Sequence, residues 1–169
     1  MAWIRLGMVR HFPVTRREIL ALATSLAVCF AAAAVGSVAT ASSVGSWYRT
    51  LVKPPWTPPD WVFGPVWTLL YAAMGVAAWL VWRSTTAVRE RALTLFGVQL
   101  GLNVAWSWLF FGLRRIDLAL VDIAALWVAI ALTIRAFARA RSAAAWLLVP
   151  YLAWVSFAAV LNAALLQLN

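Results

Sequence analysis

Lys53-Pro54-Pro55-Trp56-Thr57-Pro58-Pro59-Asp60-Trp61-Val62-Phe63-Gly64-Pro65-Val66-Trp67 is a proline-stiffened loop, set with tryptophans, that runs straight into a long apolar segment. Proline fixes φ and removes a backbone donor, so the loop is ordered in advance without regular secondary structure. Tryptophan adds a large rigid apolar face at small entropic cost. Such a loop serves either at a membrane surface or as a cover over a flat aromatic ligand.

The composition decides for a membrane. Of 169 residues, 65% are apolar and 11% are charged. A soluble domain of this length has no core large enough to hide that surface. The chain suits one small bundle and not two membrane domains. Cys29 is the single cysteine and lies in an apolar run, which excludes a disulfide within the chain. His11 is the single histidine, so no protein-built zinc or iron site is expected. The net charge of +9 comes in short clusters between apolar runs. That is the distribution of membrane-flanking charge, which reads anionic headgroups and sets topology, and it argues against nucleic acid.

Five apolar runs are long enough to cross a bilayer as helices, which takes roughly 20 residues each. They fall at about 19–41, 62–82, 92–112, 117–137 and 143–166. None alternates as barrel strands do, so the predicted class is an all-α membrane protein, a five-helix bundle. Residues 1–18 read as a basic tail and 19–169 as one transmembrane domain. The first connection, about 42–61, is long; the other three are short and force antiparallel neighbours.

Arg5, Arg10, Arg16, Arg17, Arg83, Arg89, Arg91, Arg135, Arg139 and Arg141 fall on the N-terminal side, against Arg49, Lys53, Arg114 and Arg115 opposite. The positive-inside bias puts the N-terminus in the cytoplasm and the long loop outside. The first run also carries a small-residue stretch, Ala39-Thr40-Ala41-Ser42, of the kind that follows a signal peptide. Its apolar part is longer than a usual signal core, which favours a retained helix.

With orientation set, depth follows. Trp79, Trp82 and Trp146 fall at the inner interface, where tryptophan ordinarily anchors. Trp67, Trp106 and Trp154 sit deeper, where an indole N–H needs a partner. On the third span, Gly97, Gly101 and Ala105 form a small-residue stripe. The stripe suits either a dimer interface or contact with another helix of the bundle. Gln99, Asn103, Trp106 and Phe110 lie on nearly the opposite face. Gln99 and Asn103 are costly in lipid unless paired, either with another helix or with a ligand. Asp117 reads as a cap of the fourth span. Asp122 lies inside that span, where a charge costs roughly 2.5–3.5 kcal/mol, so a nearby donor or the interface is expected. Pro65 opens the second span harmlessly, whereas Pro150 lies within the fifth and predicts a distortion there.

These residues resemble the TspO/MBR family, which includes translocator protein and the bacterial tryptophan-rich sensory proteins. The matching segments are Trp47-Tyr48, Lys53 to Pro59, Gly64 to Trp67, Gln99 with Leu102 to Trp106, and Phe110-Phe111-Gly112. Ala119 to Asp122, Pro150 to Trp154 and Leu161-Asn162 follow in order, so the resemblance covers about 45–166. It implies a five-helix bundle, often dimeric, with the first span retained. It also implies binding of porphyrins such as protoporphyrin IX and haem-type tetrapyrroles, with sterols in some members, in a pocket under the first loop. By the same resemblance Trp47 and Tyr48 are lid residues. Trp67, Asn103, Trp106, Trp154 and Ala158 line the pocket, with Leu161 a turn deeper. In some bacterial members, tryptophans matching Trp67 and Trp154 support light-dependent breakdown of protoporphyrin. One departure is plain. Leu161-Asn162 is followed by Ala163-Ala164 with no basic residue before Asn169, which lowers the expectation of sterol binding by the animal pattern.

The leading functional expectation is a tetrapyrrole-binding sensor or carrier of the cell membrane, with Arg49 and Lys53 at the rim for propionates. A light-dependent porphyrin-degrading enzyme and a sterol or lipid carrier are the alternatives. A gradient-driven transporter finds no inverted repeat to support it.

Overall fold

The computed structural model describes residues 15–169; the rest of the basic tail, with Arg5, Arg10 and His11, lies outside the described residues. Six α-helices follow one another: α1 Arg16–Val44, α2 Trp47–Thr50, α3 Phe63–Trp82, α4 Arg89–Ser107, α5 Ile116–Ala140 and α6 Ser142–Leu168. A 3-10 turn, Asp60–Val62, leads into α3, and a π-helical turn, Trp108–Gly112, ends α4. Five of these segments are long and apolar enough to span a membrane.

The spans agree with the sequence reading and correct its ends. α1 begins at Arg16, so Arg16, Arg17 and Glu18 belong to the helix and not to the tail. Its start is fixed by a capping box: Thr15 accepts from the Glu18 amide while the Glu18 carboxylate accepts from Thr15 N at 2.9 Å. The stretch Ala39–Ser42 lies inside α1, which packs into the bundle to its end. Asp117 does not cap α5. It sits in the first turn and ion-pairs with Arg115 at 2.6 Å. The opening loop is also less irregular than expected, since α2 and the 3-10 turn occupy part of it.

Around the bundle the order is α1, α3, α6, α5, α4, with α4 closing back on α1. Lipid offers no hydrophobic drive for this assembly, so close packing and interhelical hydrogen bonds carry it. Two glycines let α1 come close to its neighbours. A Cβ at Gly75 would lie 2.7 Å from Leu26 Cδ2 and 3.1 Å from Leu26 Cα. A Cβ at Gly36 would meet Ser107 Oγ at 3.1 Å. α1 therefore touches α3 at mid-height and α4 further along, toward the loop.

The start of α1 is clamped to the end of α3. Glu18 pairs with Arg83 at 2.7 Å, and Trp79 Nε1 donates to the Glu18 carbonyl at 3.0 Å. Arg83 stacks over Trp79 and Arg17 over Trp82. Trp79 and Trp82, expected as interfacial anchors, thus also hold the first helix, while Trp146 is 70% exposed, as an anchor would be.

At the other end, called here the loop end, α1 is held by Ser43, whose Oγ donates to the Phe111 carbonyl at 2.7 Å. The π turn leaves carbonyls off the α-helical ladder, and Ser43 satisfies one of them. The turn into α5 holds Arg114 at φ 57, a left-handed conformation uncommon outside glycine.

Gly97 and Gly101 face outward, and a Cβ on either would meet nothing within 4 Å. The contrast with Gly75 sets a test. Gly75→Val should lower stability by about 1–3 kcal/mol through overpacking. In monomeric protein Gly97→Ala should be neutral or stabilising, by up to about 1 kcal/mol of helix propensity. Unfolding midpoints in detergent decide it; a Gly75→Val midpoint equal to the parent's contradicts the close approach.

Candidate functional site

Helical spacing brings three faces together at the loop end. Gly64, Trp67, Thr68 and Tyr71 form one stripe of α3, and Asn103, Trp106, Ser107 and Phe110 continue one from α4 into the π turn. Trp154, Ala158, Leu161 and Leu165 supply the third, from α6. Residues three, four and seven apart share a helix face, so each stripe presents all its members to the interior. With α1 as a fourth side, they enclose a cavity of about 570 Å³. Ligand pockets commonly hold about 300–1,000 Å³.

Tyr48, Trp67, Asn103, Trp106, Trp154, Ala158 and Leu161 all line this one cavity. Trp47 does not. It packs behind the wall, edge-on to Phe110 at 5.7 Å. Tyr48 is 6% exposed and forms the roof, with its ring 5.6 Å from Phe111. Burial, reinforced by the Asp60 carboxylate, raises the Tyr48 phenol above its ordinary pKa, so it stays protonated.

The floor is a buried polar framework. Tyr71 OH donates to Asn103 Oδ1, and Asn103 Nδ2 donates to Tyr151 OH at 3.0 Å. One amide on α4 therefore ties α3 to α6. Trp67 lies against both phenols, 5.6 Å from Tyr71 and 6.2 Å from Tyr151. A second amide works higher up. Trp106 Nε1 donates to Asn162 Oδ1 at 3.1 Å, and Asn162 Nδ2 donates to the Ile116 carbonyl at 3.0 Å. Of the two partners expected for Asn103, another helix or a ligand, the structure shows the interhelical bonds, and its amide is already engaged at both ends.

Trp154 differs from Trp106. Its Nε1 is buried without a hydrogen-bond partner among the described residues. The ring is held by Phe63 at 5.7 Å and Phe157 at 5.5 Å. Gln99 is 1% exposed but does not line the cavity; its Nε2 reaches only Met74 Sδ, at 3.9 Å. Asp122 is half-buried, and its Oδ2 has no partner among the described residues, so the donor expected beside it is not there.

The rim charges are arranged otherwise than expected. Lys53 Nζ lies 4.2 Å above the Tyr48 ring, and neither Lys53 nor Arg49 lines the cavity. The charged side chain on the wall is Asp60. Sequence reasoning overlooked Tyr71, although a tyrosine in mid-span is the same signal as the asparagine it bonds. The π turn had no sequence signal; it brings Phe110 and Phe111 onto the cavity together, 4.8 Å apart.

A polytopic helical membrane protein with an aromatic cavity at one end of the bundle is the class that this geometry defines. The TspO/MBR family model matches residues 25–168, and the chain belongs to that family. It is 46% identical to the tryptophan-rich protein TspO of Chlorobaculum tepidum over 157 residues, covering 90% of this chain and 98% of that one. Against the translocator protein of Homo sapiens it is 46% identical over 119 residues, 69% of this chain and 70% of the other. The tryptophan-rich sensory protein of Cereibacter sphaeroides is 38% identical over 146 residues, 86% of this chain and 89% of its own.

The floor framework makes a stability prediction. Asn103→Leu leaves two buried phenols unpaired, at about 1–3 kcal/mol each. Trp154→Phe removes a donor that bonds nothing and should cost less than Asn103→Leu. Chemical unfolding of the two variants in the same detergent orders them; the reverse order contradicts the assigned bonds.

Proposed function

We propose that the chain is a membrane receptor or carrier that binds porphyrins and related tetrapyrroles in this cavity, and that it acts in tetrapyrrole sensing, regulation or transport. The observation that carries the reading is the convergence of Trp67, Trp106 and Trp154 from three helices on one apolar space. Indole faces stack on flat conjugated rings, and such contacts are worth about 0.5–1.5 kcal/mol each beyond the area they bury. The relatives named for sensing and for translocation agree in kind. Ligand propionates would meet water at the loop end, clear of Asp60 and toward Lys53.

Titration with protoporphyrin IX in the dark, followed by tryptophan fluorescence, tests this. Trp67→Phe combined with Trp154→Phe should weaken binding by roughly tenfold, or about 1.4 kcal/mol. Unchanged affinity would remove the ligand from this cavity.

A second reading rests on Trp154. Trp154, whose indole N–H is unpartnered among the described residues, and Trp67 both line the cavity, where two oxidisable indoles would meet a photosensitising ligand. Light-dependent loss of the porphyrin absorption band, abolished in the double variant while some binding persists, is its mark. The absence of such loss in the parent protein leaves a receptor or carrier only.

We also infer a homodimer that meets along Gly97, Gly101 and Ala105. The two glycines face outward in the protomer and have no packing partner among the described residues. Close helix contact is what such a stripe permits. Gly101→Leu should shift cross-linked protein in bilayers from dimer to monomer; an unchanged dimer fraction places the contact elsewhere.

A further inference from the structure

We propose that ligands reach the cavity sideways from the bilayer, between α1 and α3, and that the loop above is a latched roof and not the entrance. The route extends the binding reading above, but its test needs no tetrapyrrole.

The roof is fastened at several points. Asn169, just past α6, pairs its side-chain amide with the backbone of Val52: Val52 N donates to Oδ1 at 2.9 Å, and Nδ2 donates to the Val52 carbonyl at 3.1 Å. The same Nδ2 donates to Leu165 O at 2.9 Å, which fixes the amide against α6. Val52 itself is 57% exposed, so this segment is held by its main chain and not by burial of its side chain. Further along, Trp56 packs edge-on to Phe157 at 5.9 Å, and Thr57 folds back on the Pro54 carbonyl with N–H and hydroxyl bonds of 3.0 Å and 2.8 Å. Lys53 over Tyr48 completes the closure.

The side is open. Phe30, Ala34 and Ser37 of α1, Asp60 of the 3-10 turn, and Gly64 and Thr68 of α3 line the cavity and are also exposed on the outside of the protein. A residue that does both stands at an opening. The two helices touch at Leu26 and Gly75 and are clamped at Glu18 and Arg83. Toward the loop α1 leans instead on α4 and the π turn, through Gly36 and Ser43. The gap therefore opens into the leaflet on the loop side. Asp60 stands at the loop end of the gap and is the one charge on its rim among the described residues. Below it the rim is apolar or hydroxylic, and each hydroxyl is already spent: Ser37 Oγ donates to Ala34 O and Thr68 Oγ1 to Gly64 O. The ligand class is accordingly a flat apolar molecule dissolved in the membrane, its polar end at the headgroups.

Cysteine labelling in nanodiscs tests the route, with Ala158→Cys as the target and Cys29→Ala as background. N-phenylmaleimide, which partitions into the bilayer, should label position 158 at least roughly tenfold faster than a sulfonated, water-bound maleimide, a barrier difference of about 1.4 kcal/mol. Ser37→Phe or Thr68→Phe should slow the apolar reagent by a similar factor. Both sites are exposed, and a thermal midpoint checks that these variants fold. Asn169→Ala should raise only the sulfonated reagent's rate. The proposal is overturned by equal labelling with both reagents, by portal variants that leave the apolar rate unchanged, or by an Asn169→Ala variant that accelerates both alike. Failure of N-phenylmaleimide to label the folded protein, when it labels in denaturant, also overturns it. Absence of porphyrin binding by the parent protein, or unchanged affinity in the double variant, removes the ligand assignment and leaves this result standing.

Discussion

The Asn103 amide, buried between the Tyr71 and Tyr151 hydroxyls, is the contact on which the rest of the architecture depends. A side-chain amide buried in hydrocarbon is costly unless it is bonded. Here it is bonded to α3 on one side and α6 on the other, so three helices share one height. Trp67 then packs against both phenols, tilted on Tyr71 and edge-on to Tyr151, and the space above it becomes a cavity with a defined floor. Asn162 repeats the device nearer the loop, joining α4, α5 and α6 through Trp106 and Ile116. Polar side chains that would be liabilities in lipid serve as the joints of the bundle.

The cavity exists because α1 does not follow α3 along its whole length. Small residues decide where α1 goes: Gly75 admits Leu26 at mid-height, and Gly36 admits α4 beyond it. Ser43 then fixes α1 to the π turn through the Phe111 carbonyl. The same π turn rotates Phe110 and Phe111 inward, where they meet Trp106 and Tyr48. One irregular turn thus anchors the first helix and supplies part of the wall.

Much of this was readable from the chain. Apolar runs of spanning length gave the five helices, since every backbone group must be satisfied internally in lipid. Helical periodicity separated the Gly97 and Gly101 face of α4 from the Asn103 and Trp106 face, and the structure keeps them apart. The start of α1 was also legible, because Thr15 and Glu18 have capping-box spacing, but the apolar run begins later and hid it. What could not be read was partnership across helices. Tyr71, Asn103 and Tyr151 stand far apart in sequence, and no local pattern pairs them. The Asn169 clasp on Val52 spans almost the whole domain. Asp60 lines the cavity where Arg49 and Lys53 were expected at the rim, because a loop's charges take their direction from its fold and not from their order. Trp47 and Tyr48 are neighbours in sequence, yet only Tyr48 faces the cavity.

The account's central claim is that the space under Tyr48 and above Trp67 receives a flat tetrapyrrole. An experimental structure of the protein with protoporphyrin IX, prepared in the dark in lipid, tests it most directly. One macrocycle per chain should lie between Trp67 and Trp154, with the Asn103 bridge to Tyr71 and Tyr151 intact beneath it. Porphyrin seated instead on a lipid-facing surface, with this cavity filled by lipid or empty, would contradict it.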